Sequence, residues 1–308
     1  MSRKRPKGVL SMGWACIECA ATGRTEHAPT SDDYPDTVVR RIRFEAGGGL
    51  GWKLSAIATP RARPAPWKIV VVTGAPSWAE YWAPALAALP ADREMVVVDR
   101  PGYAGSEPVE YVGDIEVQAQ ALAPLLEARG GQKVLLVGQS YGAAIASIMA
   151  EQNPRRVAGL VLLSGYFGQS GPTARWLVGL GSRLLRIIPR DLRHAVLEVS
   201  GQPGQLGRLH RALARVRAPV HVVHGDRDDF APIEIAEALV ASVPTRRPIR
   251  FQRVAGANHF MNDGPVEPLL AALEACIPAR RPWLDWRLPQ WLRPAWLRLG
   301  PWEAHARA

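Results

Sequence analysis

The chain alternates between short, densely apolar runs and longer stretches of mixed polarity. The apolar runs are Ile69 to Val72, Met95 to Val98, Lys133 to Val137, Gly159 to Leu163, Pro219 to His224 and Ile249 to Val254. Val70-Val71-Val72 and Val96-Val97-Val98 are apolar at every position, not every second one, as parallel strands covered on both faces should be. Helix-like stretches follow, Ala143 to Glu151 most clearly. This alternation continues from about residue 68 and predicts an α/β fold, a mostly parallel central sheet flanked by helices on both faces. A hydrophobic content of 47% is ample for such a core. No apolar run approaches the roughly 18 residues needed to span a bilayer.

An insertion, about 165–218, separates the strand ending at Leu163 from the strand at Pro219. Trp176, Leu180, Leu184, Ile187 and Ile188 share one helical face. Arg183, Arg186, Arg190 and Arg193 lie elsewhere on it, and Pro189 should end or kink the helix. The expectation is a small helical lid with its arginines in solvent. A sharper alternative is a basic lid that meets a membrane surface or an anionic substrate such as an acyl-CoA.

Gly138-Gln139-Ser140-Tyr141-Gly142 lies where the strand Lys133 to Val137 hands over to a helix. A nucleophilic serine needs such a turn, sharp enough to project its Oγ clear of both elements. The flanking glycines allow close approach of strand and helix. Serine also needs a base, and the base an orienting carboxylate. With the chain order serine, acid, histidine, the acid turn Gly225-Asp226-Arg227-Asp228-Asp229 follows the strand Pro219 to His224. His221 and His224 precede it and read as structural. His259 follows the strand Ile249 to Val254, whereas His305 lies in a basic tail. His259 is the expected base.

With those residues in place, the chain resembles the serine-dependent α/β-hydrolase fold family over roughly residues 36–277. Thr73-Gly74-Ala75-Pro76 resembles the family's His-Gly-x-Pro oxyanion loop, with Thr73 in place of the histidine. Asp99-Arg100-Pro101-Gly102-Tyr103-Ala104-Gly105-Ser106 resembles the turn beside the nucleophile. Gly225-x-x-Asp228 and Gly256-x-x-His259-Phe260 resemble the acid and histidine loops. The resemblance implies Ser140, Asp228 and His259 as catalytic residues, and favours Asp228 over Asp226 and Asp229. It implies the Ala75 and Tyr141 amides as the oxyanion hole, Tyr141 also standing at a helix N-terminus that favours negative charge. Trp78, Tyr103 and Phe260, with Tyr81, Trp82 and Tyr141 nearby, suggest an apolar acyl pocket or, equally, core.

The net charge of +10 sits mostly at the ends. Arg3, Lys4, Arg5 and Lys7 open the chain, and 278–308 carries six arginines against Asp285 and Glu303. That distribution argues against a nucleic-acid-binding domain. Cys16, Cys19 and Cys276 form no disulfide framework, and Cys16-Ile17-Glu18-Cys19 is a lone pair without a second. Residues 1–35 read as a flexible basic extension. The tail 278–308 interleaves Trp283, Trp286, Trp291, Trp296 and Trp302 with arginine and proline, a composition suited to peripheral membrane contact or to packing on protein.

These features lead to the expectation of a cytoplasmic serine hydrolase that takes a small apolar acyl substrate, an ester or thioester, and needs no metal or organic cofactor. Lactone, amide or carbon–carbon bond hydrolysis on the same fold stands as an alternative, as does a non-catalytic ligand-binding homologue.

Overall fold

Eight strands form one sheet in the order β1-β2-β4-β3-β5-β6-β7-β8 in the computed structural model, which describes residues 29–245, 248–262 and 265–277. The strands are β1 (Arg40–Glu45), β2 (Lys53–Ala58), β3 (Trp67–Val72), β4 (Arg93–Asp99), β5 (Lys133–Gln139), β6 (Val157–Leu163), β7 (Val220–Gly225) and β8 (Arg250–Val254). β1 pairs with β2, and β2 with β4, antiparallel; every other pairing is parallel. The helices are α1 (Ala83–Ala87), α2 (Ile115–Leu122), α3 (Gly142–Gln152), α4 (Pro172–Arg183), α5 (Arg190–Gly201), α6 (Leu206–Arg215), α7 (Ile233–Ser242) and α8 (Glu267–Cys276).

The unbroken apolar runs are buried on both faces of the sheet. Val70, Val72, Val98 and Leu136 belong to one core cluster with the α2, α3 and α6 side chains Leu122, Ile145 and Leu209. Their strand neighbours Val71, Val97, Leu135 and Val137 point to the opposite face and are equally buried. α3 is buried all round from Gly142 through Ala150, and only its last two residues, Glu151 and Gln152, reach solvent. Register then levels the strand ends, with Val72 beside both Val98 and Gly138, Gln139 beside Leu163, and Leu163 beside Val223. The loops leaving β3, β4, β5 and β7 therefore emerge at one sheet edge, the carboxyl edge where open α/β sheets hold their chemistry.

Three features depart from the sequence-based expectations. The first is the antiparallel pair β1 and β2, which precedes the predicted alternation. The second is the start of the fold: Thr30 and Ser31 are buried, and the Ser31 amide donates to Glu80 Oε2, so ordered packing begins before residue 36. The third is the insertion, which builds α4, α5 and α6, with the α4 apolar stripe turned outward. Trp176 is 61% and Ile187, just beyond α4, 77% exposed, and only Ala174 of α4 is buried. Among the described residues no helix is long and apolar enough to cross a membrane. The Cys16–Cys19 pair, the basic N-terminus and the tryptophan-rich tail lie outside the described residues.

Candidate active site

Ser140 stands at the end of β5 with φ of 51°, in the left-handed region that side chains with a Cβ disfavour. The turn is pinned on both sides. Ser140 N donates to Leu163 O at 3.0 Å, while Ser140 O accepts from Ala143 N and Tyr166 N. A Cβ at Gly138 would lie 2.6 Å from Ala143 Cα, and one at Gly142 would run into the carbonyls of Val72 and Thr73. Both glycines are there for close approach, as the pattern implied.

The loop after β8 brings His259 over the serine. His259 Nε2 lies 3.0 Å from Ser140 Oγ, and Nδ1 lies 2.8 Å from Asp228 Oδ2. An ionised carboxylate only accepts, so Nδ1 carries the proton and Nε2 is free to accept from the serine hydroxyl. Phe230 stacks on the imidazole with ring centroids 5.3 Å apart, and Phe260 meets it edge-on at 4.9 Å. The ring plane is thereby fixed by packing as well as by hydrogen bonds.

Of the three aspartates after β7, only Asp228 reaches the histidine. Asp226 accepts from the Gly256 amide and Asp229 from the Thr173 hydroxyl. Asp228 Oδ1 accepts from the amides of Phe230 and Ala231, which folds the loop around the carboxylate. His224 Nε2 lies 3.2 Å from Asp228 Oδ2 and 2.8 Å from Ala231 O. Burial alone would raise the Asp228 carboxyl, but the hydrogen bonds from His224, His259 and the Ala231 amide hold it well below the usual carboxylate range. The group is an anion at any physiological pH.

Two backbone amides adjoining the Ser140 turn, Ala75 N after Gly74 and Tyr141 N at the N-cap of α3, donate to no protein acceptor among the described residues. A Cβ on Gly74 would sit 2.9 Å from Ser140 Cβ, so the loop after β3 lies directly against the serine. Thr73, standing where the family has histidine, braces that loop through its hydroxyl, which donates to Val98 O at 3.0 Å and pairs with Ser77 Oγ. Ser77 Oγ in turn accepts from Arg100 N.

The expected pocket aromatics divide. Phe260 is half-buried beside His259. Trp78 and Tyr103 are buried with their polar ends tied to α5, Trp78 Nε1 donating to Asp191 and Tyr103 OH to Glu198. Sequence reasoning set His224 aside as structural and left Arg100 without a role. A histidine one turn ahead of the acid, and an arginine directly after a strand's last residue, were the available signals. Glu198 offered none, because its partner Arg100 is 98 residues away.

The alpha/beta hydrolase fold family model matches residues 68–184. A 2-hydroxy-6-oxononadienedioate/2-hydroxy-6-oxononatrienedioate hydrolase of Pseudomonas putida is 28% identical over 209 residues, covering 56% of this chain and 73% of that one. Among solved structures, a 2-hydroxy-6-oxo-6-phenylhexa-2,4-dienoate hydrolase from Rhodococcus superposes with a TM-score of 0.61 at 18% identity, covering 77% of this chain and 98% of that one. A thermophilic esterase from Thermogutta terrifontis gives 0.58 at 20% identity, covering 76% and 96%. These relatives are hydrolases. The protein has the α/β-hydrolase fold and, over its central strands and the site they carry, resembles the α/β-hydrolase family.

Proposed function

We propose that the protein is a serine hydrolase of carboxylic esters or thioesters. The observation that carries this reading is the unbroken relay from Asp228 Oδ2 to His259 Nδ1 at 2.8 Å and from His259 Nε2 to Ser140 Oγ at 3.0 Å. Ser140 Oγ attacks the carbonyl carbon as His259 takes its proton. The ionised Asp228 stabilises the resulting imidazolium. The oxygen that becomes negative is received by the amides of Ala75 and Tyr141, aided by the N-terminal dipole of α3. His259 then passes its proton to the leaving alcohol or thiol, and an acyl-Ser140 remains. Water, deprotonated by His259, attacks the acyl carbon and releases the acid and the free serine. Phe260 and Phe230, packed on His259, put apolar surface beside the reacting groups.

The Pseudomonas putida relative supports a second reading, hydrolysis of a carbon–carbon bond beside a ketone. That relative's named substrate is a dianion, and a dianion needs cations free to receive it. Arg100, the buried cation beside the loop after β3, has all five N–H groups committed to protein acceptors. Arg100 itself therefore offers a substrate carboxylate nothing.

The test is a panel of 4-nitrophenyl esters of increasing chain length beside a 2-hydroxy-6-oxodienoate, with fluorophosphonate labelling and a Ser140→Ala control. Ester turnover and labelling, both lost in the control, are expected. Labelling with turnover of the dienoate alone selects the second reading. No labelling of folded protein rejects both readings.

A further inference from the structure

Arg100 is fully buried, and it joins parts of the molecule that have no covalent reason to move together. Its Nε donates to Thr73 O at 2.9 Å and its Nη2 to Gly74 O at 2.6 Å. The other face of the same fork meets Glu198 of α5, with Nη1 to Oε1 at 2.6 Å and Nη2 to Oε2 at 2.7 Å. Glu198 is equally buried and saturated. Gln118 Nε2 donates to its Oε1 at 2.9 Å and Tyr103 OH to its Oε2 at 2.6 Å. Gln118 Oε1 returns an acceptor to Arg100 Nη1 at 2.8 Å. The rings of Tyr103 and Tyr141 flank the guanidinium at 4.9 and 5.0 Å.

The Gly74 carbonyl and the Ala75 N–H belong to one planar peptide unit, and in a trans peptide they point in opposite directions. The Gly74–Ala75 bond is trans. A guanidinium that fixes the carbonyl therefore fixes the aim of the N–H on the far side. Hydrogen bonding a cation to the carbonyl also polarises the amide and strengthens its N–H as a donor. Resting on the reading of Ser140 as nucleophile, we infer that Arg100 and Glu198 form a clamp through which α5 of the insertion aims and polarises the Ala75 amide of the oxyanion hole. Arg100 and Glu198 are positioning residues: neither touches the substrate. The clamp makes the oxyanion hole depend on the seating of the insertion.

The clamp predicts a loss confined to the transition state. Glu198→Gln keeps the shape and one acceptor oxygen, but it removes the charge that holds the guanidinium and turns the other oxygen into an NH2 group facing donors. The pair Arg100→Met/Glu198→Met removes both charges together, avoiding the uncompensated buried ion that a single deletion leaves. Each variant is assayed for folding by circular dichroism, for kcat and KM on the best 4-nitrophenyl ester, and for affinity towards an aryl boronic acid, whose tetrahedral adduct mimics the attacked carbonyl. Expected is a fall in kcat of about 10- to 100-fold, somewhat less than or comparable to deleting one oxyanion donor. KM should stay within about threefold and boronate affinity should fall in parallel with kcat. A folded variant with wild-type kcat and boronate affinity overturns the clamp, leaving Arg100 and Glu198 a purely stabilising pair. So does a loss expressed in KM alone. If wild-type protein is not labelled at Ser140 by a fluorophosphonate, the nucleophile reading fails and the clamp with it. Labelled, active wild type beside fully active variants rejects the clamp alone.

Discussion

At the scale of single residues, the proposed nucleophile Ser140 sits in a strained turn. Its φ of 51° is disfavoured for any residue with a Cβ, and glycine would adopt it freely. Ser140→Ala and Ser140→Gly should both abolish turnover, but Ser140→Gly should be the more stable of the two by about 1 kcal/mol, a melting difference of roughly 2 °C or more. Equal melting temperatures would mean that the turn is not strained. The acid can be tested in the same way. Asp228→Asn should lower kcat by about 10⁴-fold, because an amide at that position favours the wrong histidine tautomer. Asp226→Asn and Asp229→Asn, whose carboxylates bond the Gly256 amide and the Thr173 hydroxyl, should cost less than about tenfold. Comparable losses at all three positions would show that the turn as a whole, and not one carboxylate, is what matters. The relay was legible in the sequence because serine, acid and histidine each follow a strand in the required order. What surrounds it was not: His224 on Asp228, and Glu198 on Arg100, are contacts that only the folded chain creates.

Among the secondary-structure elements, the buried strands were legible because two-sided burial removes polar positions, leaving an unmistakable run of valines and leucines. β1 and β2 were not, because β1 is a sheet edge. Its Arg40-Arg41-Ile42-Arg43-Phe44-Glu45 is charged on the solvent side, and only the alternation of Ile42 and Phe44 with arginines marks it as a strand. α4 was legible as a helix but not in orientation. Its apolar stripe faces outward, and periodicity fixes which residues share a face, never what that face meets. Glycines separate in the same manner. Gly142 and Gly49 look alike in sequence, yet a Cβ at Gly142 would strike the Val72 and Thr73 carbonyls, whereas one at Gly49 meets nothing within 4 Å. Gly142→Ala should prevent α3 from seating against β3 and leave little folded protein. Gly49→Ala, strained only by its φ of 67°, should fold with a loss of about 1 kcal/mol. Urea denaturation of the purified variants measures both, and a normally stable Gly142→Ala would contradict the close approach of helix and strand.

For the molecule as a whole, two buried aspartates at the sheet's carboxyl edge pull acid stability in opposite directions. Asp228 is held below its ordinary value near 3.8 by the hydrogen bonds that outweigh its burial. Its unfolded form binds a proton first on acidification, so its contribution to stability is fully present above about pH 4 and is lost as pH falls towards its depressed folded value. Asp99 is raised above 3.8 because burial outweighs the Arg41 pair and the Ala79 amide. Its folded form takes up the proton first, so acidification from neutral through its raised value down to 3.8 stabilises the fold relative to the unfolded chain. The consequence is a pair of opposed signatures in urea midpoints measured from pH 7 to pH 3. The deficit of Asp228→Asn relative to wild type should shrink as pH drops below about 4, since the wild type then loses what the variant never had. The deficit of Asp99→Asn should instead widen between neutrality and about pH 4, because wild-type Asp99 gains on protonation and the amide cannot. Parallel curves for both variants would show that these carboxyls do not govern the acid response, and that the edge of the sheet is less dry than their burial indicates.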